Sequence, residues 1–128
     1  MSSDPFDGPG SASGIQWADY EGRLLLITPH EYLPEVSTSL GVKSAVRADV
    51  VVLDGPGAPE EIPDTLIFPR VLQGQVKSNA GTGRMNLGRL GKGVAKPGQS
   101  APWQLGQPTD TDKDLARQYL ASKTVAPF

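Results

Sequence analysis

The chain of 128 residues contains no cysteine and a single histidine, His30. The lack of cysteine excludes disulfide frameworks, thiolate metal sites and cysteine nucleophiles. Glu31 lies beside His30, but the sequence marks no nucleophile and no second ligand near it, so we expect a surface-loop histidine. We therefore predict a protein that is not an enzyme and that holds no metal and no cofactor.

Long apolar runs are missing as well. No run approaches the roughly 20 residues needed to span a bilayer. The first residues, MSSDPFDGPGSASG, have neither the basic region nor the apolar stretch of a signal peptide. We therefore expect no membrane partner. Apolar residues make up only 38% of the chain, whereas 15 Gly and 12 Pro are present, which favours a small β protein with long connections.

Acidic residues are absent from residues 65–109, although the whole chain carries a formal net charge of −2. This basic segment has a charge of +6, whereas residues 1–64, with eleven acids and three bases, have a charge of −8. Charge segregation of this kind creates a local positive field, and nucleic acid is the commonest anionic partner for such a field. A solvated basic loop without a partner is the alternative.

Apolar patterning and breaker residues predict five strands and two helices. The predicted strands cover residues 23–28, 43–54, 64–68, 84–93 and 103–105. In the second strand, Val46, Ala48, Val50 and Val52 share one face. Residues 30–42 are predicted to be a connection because Pro34 and Gly41 interrupt them.

The two predicted helices have different supports. Pro69 is well placed to start a helix over residues 70–78, although Gly74 disfavours it. Thr109 is a good N-cap for a C-terminal helix ending near Lys123, and Asp112 stands at the capping-box position.

This element order is that of the OB fold, a barrel known for oligonucleotide binding. We therefore predict a mainly β protein: a small five-stranded OB-like barrel with a helix between strands 3 and 4 and a C-terminal helix. A generic α+β sandwich is the alternative. Residues 1–14 are predicted to form a disordered arm, residues 15–123 the domain and residues 124–128 a C-terminal tip. Trp17 and Tyr20 are predicted to anchor the arm.

The glycine-rich stretch GRLGKG (88–93) is not a phosphate-binding loop, because Asn86 replaces its first Gly and Gly93 replaces its Ser or Thr. We interpret it as a strand in which Gly allows a bulge or the close approach of another backbone. The candidate nucleic-acid contacts are the cations of the basic segment, two cations of the second strand, and Trp103, which either stacks a base or fills the core against the C-terminal helix. These residues are Lys43, Arg47, Arg70, Lys77, Arg84, Arg89, Lys92, Lys96 and Trp103.

Three sequence blocks resemble a known group of proteins. The blocks are RLLLITP (23–29), RADVVVLDGP (47–56), and the run from LIFPRVLQGQVKSN through GRLGKG (66–93) to PWQL (102–105), with a helix after it. Together they resemble small single-stranded-DNA-binding proteins of actinobacterial phages, which have OB-like folds. The resemblance covers roughly residues 20–122. It implies binding of single-stranded DNA in phage replication or recombination, inside the host cytoplasm, and assigns no individual contact residue.

The leading functional hypothesis is therefore non-catalytic, largely sequence-independent binding of single-stranded DNA. Self-association and contacts with replication or recombination proteins are further partner hypotheses. A phage structural or assembly protein, or another protein-interaction module built on the same barrel, is the alternative.

Overall fold

Five antiparallel strands and two α-helices make up the computed structural model, which describes residues 15–124. The strands are β1 (Leu24–Thr38), β2 (Gly41–Val52), β3 (Glu60–Ile67), β4 (Asn86–Lys92) and β5 (Trp103–Gly106). The helices are α1 (Arg70–Val76) and α2 (Asp110–Thr124). Short 3-10 turns cover Trp17–Tyr20 and Lys77–Asn79.

The strands form one sheet in the order β3-β2-β1-β4-β5, so β1 pairs with both β2 and β4. Helix α1 connects β3 to β4, and α2 follows β5. This confirms the predicted fold class, a mainly β, OB-like architecture with a helix between strands 3 and 4 and a helix at the end. The two end strands of the sheet, β3 and β5, leave a gap that other elements have to fill.

The predicted connection at residues 30–42 is wrong, because β1 continues to Thr38 and turns directly into β2 at Gly41. Neither Pro29, just before this stretch, nor Pro34 within it ends the strand. The β1–β2 register shifts between Pro29 and Glu31 and again between Leu33 and Val36, so Pro34 lies within an irregularity. A proline is tolerated where the ladder is interrupted, since its missing N–H removes no regular hydrogen bond.

The two faces of the sheet bury different clusters, and the alternation of β2 predicts which of its side chains face the barrel core. Val46, Ala48, Val50 and Val52 lie in the barrel core with Leu25 and Ile27 of β1. The opposite face of the sheet contributes to a second cluster, which Ala116 of α2 covers. The members from the sheet and the loop after it are Leu24, Leu26 and Leu53. Helix α2 therefore shields one part of the outer surface and leaves the rest of β1, β2 and β3 to solvent.

Two glutamines attach α1 to the sheet. The Gln73 side-chain amide donates to the carbonyl oxygens of Ser44 (3.0 Å) and Phe68 (2.7 Å) and accepts from the Ser44 hydroxyl. The Gln75 side chain both donates to the carbonyl of Leu105 and accepts from its N–H, at 3.0 and 2.8 Å. Helix α1 thereby bridges β2 and the free edge of β5.

Trp17 is only 7% exposed and belongs to the barrel core, and the Tyr20 hydroxyl donates to Glu60 on β3. Residues 15–20 are thus part of the folded domain. The predicted arm at residues 1–14 lies outside the described residues, as does nearly all of the predicted tip.

Within residues 15–124, no helix has the length and apolarity that a membrane crossing requires.

Candidate nucleic-acid interface

Six of the eight predicted cations make no ion pair with any described residue. The paired ones are Arg47 and Arg89. The unpaired ones are Lys43, Arg70, Lys77, Arg84, Lys92 and Lys96. Five of these six belong to the acid-free basic segment. Their charges are therefore available to an external anion.

Arg47 lies on the outer face of β2 among carboxylates. Its guanidinium donates to Asp64 at 2.9 Å and to Glu31 at 3.4 Å. Asp49, on the same face, accepts from the Asp64 backbone N–H at 2.8 Å and lies 3.0 Å from His30 Nε2. Burial would raise the pKa of Asp49, but these two partners outweigh it and lower that pKa. The outer face of β1, β2 and β3 therefore holds several acidic side chains, which disfavour a phosphate backbone there.

Arg89 is held beneath the start of α2. Its guanidinium donates to Asp54 at 2.6 Å, to Asp112 at 2.7 Å and to the carbonyl of Gly22 at 3.0 Å. The hydrogen bonds to both carboxylates raise the pKa of Arg89. Through these three partners Arg89 connects β4 to α2 and to the loop after β2. The sequence did not indicate this structural role of Arg89.

Lys77, directly after α1, places its ammonium 4.7 Å from the centroid of the Tyr32 ring. Tyr32 lies on β1 opposite Val46, and about two fifths of its surface is exposed. An aromatic face beside a cation offers a base a stacking surface and its phosphate a counter-charge. Tyr32 was missed because it lies in the stretch predicted to be a connection; its strand position is the signal that would have indicated it.

Lys92 and Trp103 form a second pair of the same kind. They are cross-strand partners on β4 and β5, and the Lys92 ammonium lies 5.0 Å from the centroid of the Trp103 ring. Trp103 is half-buried and packs against the barrel core rather than against the cluster beneath α2. One part of the indole thus contributes to packing while another part remains exposed beside a cation.

Arg84 and Lys96 occupy exposed loops on either side of β4. Arg84 precedes the strand, so the prediction that Arg84 and Lys92 both lie within it is wrong. Thr82 explains why β4 begins only after Arg84, since its hydroxyl accepts the Arg84 backbone N–H at 3.1 Å and holds a turn there.

The β4 register with β1 and β5 shows no bulge. Instead Gly88 provides the predicted close approach, because a Cβ there would lie 2.5 Å from the carbonyl oxygen of Gly106.

A groove of about 780 Å³ lies between residues 15–17, the β1–β2 turn and the start of α1. Two unpaired cations, Lys43 and Arg70, and several apolar side chains such as Val42 and Phe68 line it, and none of its lining residues is acidic. The groove therefore continues the positive surface of the basic segment toward the β1–β2 hairpin.

Within the described residues, no group of three His, Asp or Glu side chains is arranged to hold a metal ion.

Comparison with known proteins adds no relative to this description. No family model, no curated protein and no solved structure matches the chain.

Proposed function

We propose that this protein binds single-stranded DNA without catalysis and with little sequence preference. The observation that carries the proposal is the pair of lysines, Lys77 and Lys92, each standing about 5 Å from an aromatic centroid within a basic segment free of acids. Tyr32 and Trp103 would stack bases, and the two lysines would turn to the phosphates. Arg70, Arg84 and Lys96 would contact neighbouring phosphates.

The proposed path avoids the outer face of β2 and β3, which many OB barrels use for nucleic acid. Arg47 is neutralised there by Glu31 and Asp64, and Asp49 adds a further negative charge. The path runs instead from the turn after α1, over Tyr32, toward the β4–β5 end of the barrel. Binding would depend mainly on the release of counterions from the DNA strand.

Because the three sequence blocks resemble single-stranded-DNA-binding proteins of actinobacterial phages, we extend the proposal to phage DNA replication or recombination in the host cytoplasm.

The direct test is a binding titration with a single-stranded oligonucleotide and its duplex at several salt concentrations. We expect tighter binding of the single strand, since stacking on Tyr32 and Trp103 needs unpaired bases. We expect affinity to fall steeply with salt. Equal affinity for the duplex, or no binding of either at low salt, contradicts the proposal.

Variants locate the interface. Replacing Lys77 and Lys92 together by Ala should reduce the log–log salt slope by roughly 1.4, at about 0.7 per lost phosphate contact on single strands. The double variant K113A/R117A, which removes two cations from α2, is the matched control and should leave the slope unchanged. If the two double variants behave alike, the strand follows another path.

Tyr32 has a test of its own. The variant Y32A should weaken binding of single strands roughly tenfold or more, because it removes one stacking surface. The variant Y32F keeps the ring and should bind nearly as tightly as the unchanged protein. Equal loss in both variants would indicate that the hydroxyl, not the ring face, makes the contact.

A protein-interaction module is the second candidate function. The observation that favours it is the exposure of Leu40 and Val42 at the β1–β2 turn, where 84% and 65% of their surfaces are accessible. Leu40 and Val42 stand on either side of Gly41, and exposed apolar patches mark contact sites for other proteins. Variants of Leu40 that leave DNA binding unchanged and abolish a protein contact would separate this function from the first.

A further inference from the structure

The described part of the chain begins where two grooves of opposite charge adjoin. Ile15 and Gln16 line both the groove of about 780 Å³ beside the β1–β2 turn, here called the first groove, and a second groove, of about 420 Å³, along β3. The lining of the first groove includes two cations and no acid. The lining of the second includes three acids and no Lys or Arg; the acids are Asp19, Glu60 and Asp64. A segment that enters the domain at residue 15 therefore lies between two opposite electrostatic fields.

The cations of the first groove are exposed, and neither Lys43 nor Arg70 makes an ion pair with a described residue. Apolar side chains lie beside them in the lining. Leu40 and Val42 are exposed, and Phe68 is half-buried. A groove with this lining suits a partner that combines an apolar side chain with negative charge.

The segment in front of the described residues carries this combination in its sequence. Residues 1–14 contain two acids, Asp4 and Asp7, and no Lys or Arg. Phe6, their only aromatic residue, stands between the two acids. The sequence GPG at residues 8–10 follows, and Gly-Pro and Pro-Gly pairs are typical of turns.

The segment is attached at the groove that it fits. Phe6 precedes Ile15 by nine residues, so an extended chain allows a reach of roughly 30 Å from that point. A short tether of this kind holds a segment at an effective concentration in the millimolar range, so even a weak contact is populated. Charge decides between the two grooves, because the acids of the segment are attracted by the cations of the first groove and repelled by the acids of the second.

We propose that residues 4–7, with the sequence DPFD, dock in the first groove of their own molecule. The Phe6 ring lies against the apolar lining, and the two carboxylates face Lys43 and Arg70. The contact depends on the tether and adds little to the stability of the fold. The same two cations are candidate DNA contacts, so a bound strand has to displace the segment, a consequence that rests on the proposed function.

A spin label locates the segment in the full chain without any DNA. Because the chain has no cysteine, the variant S3C offers a single labelling site next to the docking segment. We expect the label to weaken the NMR amide signals of residues that line only the first groove, such as Val42 and Arg70. Residues that line only the second groove, such as Ile62, should lose much less signal. They are the internal reference, because the two grooves share Ile15.

Charge reversal in the groove tests what attracts the segment. The variant K43E/R70E, in the labelled chain, should remove most of the difference in signal loss between the two grooves. The variant R84E/K96E is the matched control, because it reverses two exposed cations of the basic segment that do not line the groove, and it should keep the difference. All four side chains are exposed, so folding should survive, and thermal melting checks this.

Changes in the segment itself leave the described domain untouched. The variant D4K/D7K should reduce the signal loss in the first groove and increase it in the second, where the acids then attract the segment. The variant F6A should reduce the signal loss in the first groove, because it removes the apolar part of the contact.

Three results would overturn the inference: equal signal loss in both grooves, the same signal loss in K43E/R70E as in R84E/K96E, or signal loss only between separate molecules. A mixture of spin-labelled S3C with isotope-labelled unchanged protein detects the last, which would mean that the segment docks on a second copy. Since no DNA is present, a failure of the proposed DNA binding leaves these results unaffected. Adding a single-stranded oligonucleotide should then restore the weakened signals; a strand that binds without restoring them contradicts the displacement.

Discussion

At the scale of single residues, Asp112 has the most demanding position among the described acids. Its side chain is 4% exposed. One carboxylate oxygen accepts the Thr109 backbone N–H at 2.9 Å and the other accepts from Arg89 at 2.7 Å. The Thr109 hydroxyl accepts the Asp112 N–H in return, so the predicted capping box is confirmed. One side chain thus starts α2 and fastens it to β4.

Replacing Asp112 by Ala should destabilise the protein by about 1–3 kcal/mol, because it removes the cap and leaves part of Arg89 without its partner. The variant D114A is the matched control on the same helix: Asp114 makes an exposed pair with Arg117, which is worth less than about 0.5 kcal/mol. Chemical denaturation measures both. Equal stabilities would show that the Arg89–Asp112 contact contributes nothing.

The same group of charges predicts a dependence of stability on pH. The Thr109 N–H and Arg89 lower the pKa of Asp112, and hydrogen bonds from the Leu24 N–H and Arg89 outweigh burial to lower the pKa of Asp54. A carboxylate with a lowered pKa in the folded state stabilises that state above its unfolded pKa, near 3.9, and loses this contribution as the pH falls through the folded pKa.

Melting temperature should therefore stay level from pH 5 upward as far as these two acids are concerned, and fall below about pH 4. The variant D112A should start from a lower value and lose less on acidification. Parallel curves for D112A and the unchanged protein would contradict the assignment of this pH dependence to Asp112.

At the scale of elements, the pairing of β4 with β5 depends on a missing side chain. A Cβ at Gly88 would lie 2.5 Å from the Gly106 carbonyl oxygen and 2.9 Å from the Leu105 Cβ. Both distances are shorter than real contacts of a Cβ atom. One partner is a backbone oxygen of β5 and the other is a Cβ atom attached directly to the β5 backbone. Gly91, on the same strand, has nothing within 4 Å of its Cβ position.

Replacing Gly88 by Ala should push β5 away from β4 and cost about 1–3 kcal/mol. Replacing Gly91 by Ala should be neutral or stabilise slightly, by up to about 1 kcal/mol, because it only reduces the freedom of the unfolded chain. Thermal melting distinguishes the two. Equal effects would mean that strand propensity, not the close approach of β5, determines the cost at Gly88.

At the scale of the whole molecule, residues 15–20 complete the domain. The end strands β3 and β5 are not paired with each other. Trp17 packs in the barrel core. Residues 15 and 16 line the first groove, beside the β1–β2 turn, and also the second groove, of about 420 Å³, along β3. The domain therefore needs a segment that precedes its first strand.

Two truncations test this requirement. A chain that starts at residue 15 should melt like the full chain, because residues 1–14 offer little apolar surface to bury. A chain that starts at residue 21 loses Trp17 and should be destabilised by about 3–5 kcal/mol, as for the removal of other large core side chains. Equal melting of both truncated chains would show that the core closes without Trp17.

Short-range features of this protein were decided by the sequence itself. The alternation of Val46 to Val52 depends on a spacing of two residues, and the capping box at Thr109 on a spacing of three. The charge segregation is likewise a property of the chain. Only the tertiary structure decided which of those charges are available. Arg89 meets Asp54 and Asp112 at separations of 35 and 23 residues, and Arg47 meets Asp64 at 17.

The course of β1 past its prolines was also decided by the tertiary structure, because a register irregularity exists only relative to a partner strand. The same holds for Tyr32, whose neighbour Lys77 reaches it from the turn after α1. Local spacing specifies which face a side chain takes on its own element. Which partner it meets depends on elements far away along the chain, and their approach is a property of the packed fold as a whole.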